Sequence, residues 1–283
     1  MRKASESSLA DMRVELPWLL DELVRDGMIC EDDARACRAS RTDKVSDKLH
    51  PVQILARLYV DSLGSKGSSL STKALTSWLA EKAGQPEFPI DPLKIDIPAI
   101  TAVMSYAFAQ RHQLLAIEVG PDYVVVGSTQ PFLKAWEPDL KQTLKGKEIR
   151  RVVLNVDDYA RYSVEFYNLA RSVSGAGKHD QSGKGGGANF EQLLELGKLS
   201  SIEANDQHVV SIVDWLLQYA FEQRASDIHL EPRRDSGKVR FRIDGILHDV
   251  NEFPANVMAA VSSRIKILGR MNVAEKRRPQ DGR

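Results

Sequence analysis

Residues 172–189, SVSGAGKHDQSGKGGGAN, constrain this chain more than any other stretch. They hold six of its 18 glycines and one large apolar residue, Val173. Such a stretch cannot bury enough surface to offset its ordering entropy, and it is expected to act as a flexible Gly-rich linker. As a random coil it would span roughly 23 Å. The flanking segments, 1–171 and 190–283, must therefore each build a core of their own, and 283 residues agree with two domains. Hydrophobic residues at 42% and charged residues at 28% are globular values. Lys+Arg and Asp+Glu both number 39, which excludes a whole-protein field that would steer the chain to nucleic acid or membrane.

The first segment reads as a helical front and a small α+β body. Leu16, Leu19, Leu20, Leu23 and Val24 make one helical face, stopped by Gly27. A second helix is expected over 31–40, with Ala34 and Cys37 on one side. Ser71 is an N-cap, Leu70 and Leu75 form a hydrophobic staple, and Leu75, Trp78 and Leu79 are buried up to Gly84. Pro98 opens a helix bearing Ile100, Val103, Met104 and Ala107. LAIEV (115–119) and YVVVGS (123–128) then read as strands around Gly120-Pro121-Asp122. Helical segments over 131–136 and 139–145 flank Pro138, 149–156 is a strand, and Asp157 caps a last helix through Tyr162, Phe166 and Leu169.

The second segment begins with a helix over 208–224, placing Val209, Val213, Leu216, Leu217, Ala220 and Phe221 on one face. DIHLEP (227–232) and VRFRID (239–244) alternate, with Ile228, Leu230, Val239, Phe241 and Ile243 inward and His229, Glu231, Arg240, Arg242 and Asp244 outward. Asp244-Gly245 is a tight-turn signal leading into ILHDV (246–250). Pro254 opens a helix carrying Val257, Val261, Ile265 and Leu268. The fold class is thus α+β. It comprises a helical front plus α+β body and then a helix–antiparallel sheet–helix sandwich, joined by the Gly-rich linker.

Several chemistries can be tested on spacing. A P-loop needs G-x-x-x-x-G-K-[ST], so that backbone N–H groups wrap the phosphates and the hydroxyl holds magnesium. Gly177-Lys178 is followed by His179, and Gly183-Lys184 by Gly185, so neither qualifies. Cys30 and Cys37 read as metal ligands or as buried apolar filler; no His or Cys partner lies nearby, which favours filler. Two cysteines cannot staple two domains and fit a reducing compartment. The six His are scattered, and no metal site is expected. His229 and Glu231 share a strand face, as an acid/base pair or as plain surface residues. Arg240 and Arg242 could grip a phosphate bidentately or form a solvated face.

Residues 264–283 carry seven basic and two acidic side chains, against seven and 12 over 190–263. Lys276-Arg277-Arg278 with Arg283 could meet nucleic acid, an acidic surface or a triphosphate. No aromatic residues interleave there, so nucleic acid is not an expected partner. The opening MRKASESSLADMR has no apolar region behind its basic residues, and no apolar run reaches membrane-spanning length. A cytoplasmic location is expected.

From 208 onward the motifs ASDIHLEP (225–232), VRFRIDGIL (239–247) and SRIKILGRMNVAEKRRPQDGR (263–283) resemble the domain that precedes the motor in bacterial traffic ATPases of type II secretion and type IV pilus assembly. ELPWLLDELVRDGMICEDDARA (15–36) and LTSWLAEKAGQPEFPIDPLKIDIPAIT (75–101) are similar to that family's amino-terminal domain. The resemblance implies an amino-terminal, non-catalytic portion, with Walker A and Walker B beyond QDGR and ATP and magnesium bound in the full-length parent. It implies hexamers in which this domain packs on a neighbour's motor domain. Arginines then reach a neighbour's nucleotide, with Arg283 first, followed by Arg278, Arg240 and Arg242. It also implies docking to an inner-membrane platform protein, and so a location peripheral to that membrane. Some members bind cyclic di-GMP through an Arg-Leu-Gly triplet whose places here hold Trp18, Leu19 and Leu20, so this ligand is not expected. Two other functions remain open on the residues alone: a stand-alone cytoplasmic regulator binding a cyclic dinucleotide, and a pure interaction scaffold.

Overall fold

The computed structural model describes residues 11–39, 49–58, 70–178 and 206–283. They gather into two compact units, one of residues up to Asp91 with Ala99–Val164, the other of Pro92–Pro98 with Glu165–Arg283. The architecture is α+β, as expected.

The first unit opens with α1 (Leu16–Arg25), α2 (Glu31–Ala39), α3 (Pro51–Arg57) and α4 (Thr72–Ala83). Leu19, Leu20 and Leu23 of α1 are wholly buried against Ala34, Cys37, Val52, Leu55, Leu75 and Leu79. Each such leucine withdraws about 2 kcal/mol worth of apolar surface from water. Ser71 caps α4, its hydroxyl accepting from Ala74 N–H at 3.2 Å, and Leu70 and Leu75 are both buried. Gly84 ends α4 at φ 61°, a left-handed conformation that a side chain would strain.

A charged knot joins the ends of α1 and α4. Lys82 Nζ lies 2.8 Å from both Glu22 and Asp26, and Trp78 Nε1 donates to Asp26 at 2.9 Å. Burial pushes the Asp26 carboxyl up, but its hydrogen bonds from Lys82 and Trp78 outweigh this and hold it below the usual carboxylate range. Glu22 is buried. Lys82→Met keeps the aliphatic stem and leaves Glu22 with Arg25 alone, so it should destabilise the protein by about 2–3 kcal/mol. Urea unfolding checks this; a loss under about 0.5 kcal/mol would mean that the knot is solvated and weak.

The helix α3 carries no expectation from sequence. Its N-cap is His50, whose Nδ1 accepts from Val52 N–H at 3.3 Å while Gln53 Oε1 accepts from His50 N–H at 3.3 Å. His50 Nε2 lies 2.9 Å from Gln130 Nε2, and Gln130 Oε1 accepts from Val14 N–H at 2.6 Å. His50 is buried, and that burial drives its pKa down to about 4. It stays neutral at physiological pH.

The helix expected after Pro98 is two short ones, α5 (Ile97–Thr101) and α6 (Tyr106–His112). The break comes where the Ser105 hydroxyl accepts from Phe108 N–H at 3.2 Å and starts α6 afresh. Ala107 is therefore exposed and Ala109 buried. Strands β1 (Leu114–Val119), β2 (Tyr123–Ser128) and β3 (Glu148–Val153) form one sheet, β1 antiparallel and β3 parallel to β2. The crossover contains α7 (Glu137–Thr143), where Pro138 sits in the first turn instead of separating two helices.

α8 spans Val156–Lys178. Its start is capped by Asn155, whose side chain accepts from Asp157 N–H at 2.8 Å. Asp157 instead faces the front helices, where its carboxylate accepts from Gln53 Nε2 at 2.8 Å and from Thr72 Oγ1 at 2.7 Å. Residues 172–178 of the expected linker are helical. Extending an existing helix avoids the nucleation cost, and Gly175 and Gly177 each oppose it by only about 1 kcal/mol. Residues 179–189 lie outside the described residues.

In the second unit α9 (Gln207–Glu222) and α10 (Ala255–Leu268) pack on an antiparallel sheet of β4 (Asp227–Pro232), β5 (Ser236–Ile243) and β6 (Ile246–Pro254). Val239, Phe241, Phe253, Val257, Met258 and Val261 are its core. The β5–β6 connection is Asp244-Gly245, both at positive φ (49° and 82°), as the sequence predicts. Leu217 and Phe221 are 49% and 87% exposed, so the apolar face of α9 is narrower than its sequence indicates.

Candidate functional site

Two clusters of arginines emerge in the second unit. On the sheet, Asp227 pairs across with Arg242 and His229 with Arg240. Because Val239 and Phe241 take the inner face, the alternation of β5 sends both guanidinium groups to the opposite one. Arg240 bonds Glu231, with Nε at 3.0 Å, and Arg242 bonds Asp227 at 3.0 Å. Arg242 Nη2 also lies 3.3 Å from His229 Nε2. The Ser226 hydroxyl and then Arg242 hold the Asp227 carboxyl below its usual range, and Arg240 does the same for Glu231. Glu231 is thus occupied by Arg240, and His229 lies beside Arg242; an acid/base pair between His229 and Glu231 is not what forms. Each guanidinium already shares its charge with a carboxylate, with which a phosphate would have to compete.

The second cluster is the loop after α10. The helix closes with Met271 N–H on Lys266 C=O at 2.8 Å and Arg270 N–H on Ile267 C=O at 3.1 Å, with Arg270 left-handed at φ 55°. Arg278 and Arg283 are exposed. Among the described residues neither has an acidic side chain within ion-pair distance, unlike Arg240 and Arg242. No hydrogen bond or ion pair among them links the loop's arginines to the sheet's. The four sequence candidates therefore form two groups: a neutralised pair on the sheet and a free pair on the loop.

Elsewhere the expected chemistry is structural. Cys37 is buried in the helical core, and Cys30 exchanges contacts with Asp33 at the start of α2, its Sγ 3.0 Å from the carboxylate. Among the described residues no group of three or more His, Cys, Asp or Glu side chains is placed to hold a metal ion. The groups on offer are guanidiniums, which suit an anion. In the front, Trp18 packs edge-on against Phe132 at 5.1 Å and near Trp78 at 6.4 Å, while Leu19 and Leu20 are fully enclosed. No described helix is long and apolar enough to cross a membrane.

Residues 202–283, which contain both arginine clusters, match the family described as Type II/IV secretion system protein. Over 273 residues the chain is 45% identical to the type IV pilus assembly ATPase TfpB of Acinetobacter baylyi, covering 95% of this chain and 46% of that protein. The chain belongs to the traffic ATPase family of type II secretion and type IV pilus assembly. Another member, the type IV pilus assembly ATPase PilB of Myxococcus xanthus, is 29% identical over 77% of this chain and 38% of its own length. The type II secretion system protein E of Pseudomonas aeruginosa is 31% identical over 64% of this chain and 36% of its own length. The chain thus spans less than half the length of each of these traffic ATPases. The solved structure of MshE with cdg covers 55% of this chain at 17% identity and a TM-score of 0.38, too low to carry an inference.

Proposed function

We propose that this chain is the amino-terminal, non-catalytic part of a type II secretion or type IV pilus assembly ATPase. In this reading residues 1–171 dock a hexameric motor to an inner-membrane platform protein, 172–189 link, and 190–283 supply arginines to the ATP site of a neighbouring subunit. The observation that carries it is the likeness to TfpB through both halves of the chain, 45% over 273 residues. The guanidinium groups of Arg278 and Arg283, exposed and without an ion pair among the described residues, support the second role. A planar, permanently charged fork can stabilise charge that grows on a transferring phosphoryl group. Arg240 and Arg242, already paired with carboxylates, would follow. ATP and magnesium would be held by the motor domain of the parent protein, and the platform would keep the assembly at the membrane's cytoplasmic face.

The sequence carries no Walker A loop. Purified residues 1–283 should therefore hydrolyse ATP no faster than a buffer blank. Turnover that follows the protein through repurification would overturn the non-catalytic assignment. Co-purification with the cytoplasmic part of the platform protein tests docking, and its absence would count against it. Cyclic di-GMP is left out because Trp18, Leu19 and Leu20 fill the places of the binding triplet with packed apolar side chains. Calorimetry at micromolar protein should show no binding; a low-micromolar dissociation constant would favour the regulator instead.

A further inference from the structure

The loop that carries Arg283 is held by groups that are not arginines. Gln280 grips the backbone of Asn272 from both ends of its amide: Oε1 accepts from Asn272 N–H at 2.8 Å and Nε2 donates to Asn272 C=O at 3.0 Å. The same Nε2 donates to Glu275 C=O at 3.2 Å, and Lys266 Nζ of α10 donates to that carbonyl at 2.6 Å. The Glu275 carboxylate accepts from Arg277 N–H at 2.7 Å and Arg278 N–H at 3.2 Å, which keeps it ionised below the usual range. At the end of the loop Gly282 lies so close to Gly269 that a methyl group on Gly282 would overlap the Gly269 carbonyl oxygen.

This loop has little core to order it, yet ordering each residue costs about 1–2 kcal/mol of backbone entropy. Backbone-directed hydrogen bonds from one amide, one carboxylate and one lysine do that ordering. They leave the guanidinium groups of Arg277, Arg278 and Arg283 outside the network. An amide is the side chain that can do this, since it accepts and donates at once. A glutamate at 280 would lose both donated bonds.

We propose that Gln280 and Gly282 are positioning residues for Arg283: the amide clasp on Asn272 and the glycine contact with Gly269 fix the direction in which that arginine leaves the loop. This rests on Arg283 meeting a neighbour's triphosphate, as proposed above. A group that stabilises a transition state loses most of its effect when displaced by about 1 Å, with losses on the order of 100-fold.

The test uses the full-length ATPase that carries this sequence, as Arg283→Ala, Gln280→Leu, Gly282→Ala and the double variant Gln280→Leu/Arg283→Ala. Gln280→Leu and Gly282→Ala should each lower kcat for ATP roughly 10- to 100-fold with KM within about twofold. The double variant should be no slower than Arg283→Ala, because the two residues act as one unit. Amide hydrogen exchange at Asn272 should accelerate about tenfold or more in Gln280→Leu and Gly282→Ala. Lys276→Ala is the control: its side chain is exposed and makes no hydrogen bond or ion pair among the described residues, so Asn272 should stay protected. If Arg283→Ala slows turnover and Gln280→Leu does not, or if their effects multiply, positioning by Gln280 is overturned while the arginine role stands. If Arg283→Ala leaves kcat near normal, the arginine role itself falls and the positioning role with it.

Discussion

If the proposed arginine role holds, Arg283→Ala in the full-length protein should lower kcat for ATP by about 10³-fold while nucleotide affinity changes little. An arginine that meets charge only as it develops in the transition state contributes on that scale and hardly at all to ground-state binding. Arg283→Lys should recover little of the loss, since an ammonium lacks the planar two-point fork. The contrasting possibility is a salt bridge that merely holds the domain; then alanine would lower the melting temperature and lysine would restore activity. Steady-state kinetics and thermal melts on both variants separate the two, and a near-normal kcat for the alanine variant would take Arg283 out of the site. In the 283-residue chain Arg283 is exposed and makes no ion pair among the described residues, so the same change should shift stability by less than about 0.5 kcal/mol.

Acidifying from pH 7 to pH 4 should cost the protein about 3 kcal/mol through His50 alone. In the unfolded chain this imidazole titrates near its ordinary value of 6.5, whereas burial holds it at about 4 in the folded one. Above pH 6.5 both states are neutral and the group has no pH effect. Between 6.5 and 4 only the unfolded state takes the proton, so stability falls as pH falls; below 4 both are charged and the loss levels off. Urea midpoints measured across this range should show the slope in the wild type. His50→Asn, which keeps an N-cap acceptor and cannot titrate, should flatten it. Equal slopes in the two proteins would assign the acid sensitivity to other groups.

Much of the fold is legible in periodic patterning. The buried stripe of α1, the Ser71 cap, the Gly84 stop, the Asp244-Gly245 turn and the alternation of β5 follow from spacing alone, whereas burial along β4 does not alternate. Sequence and structure part where short polar side chains redirect the backbone. Ser105 restarts a helix inside an apolar pattern that looks continuous. Asn155 takes the capping role expected of Asp157, because Asp157 is claimed by Gln53 and Thr72. Leu217 and Phe221 match the helical period but stay exposed, so the period alone overstates the width of the buried face. His50-Pro51 with Gln53 three residues on carries the spacing of a capping box, and it is legible once histidine is admitted as a cap. For the site, composition locates Arg278 and Arg283 but gives no hint of Gln280, whose bonds follow no repeat. Nor does a strand pattern show that Arg240 and Arg242 are neutralised across the sheet.

The carboxylate of Asp157 ties Gln53 near the start of one helix to Thr72 at the start of the next. One carboxylate at the start of α8 therefore pins together the first turns of α3 and α4. Doubling the length of the connection between these two helices costs only about 0.6 kcal/mol. This makes it the natural insertion point for a fluorescent or affinity label in the front of the protein. A tag placed there should leave the helical core and the arginine loop undisturbed, provided that Asp157, Gln53 and Thr72 are kept.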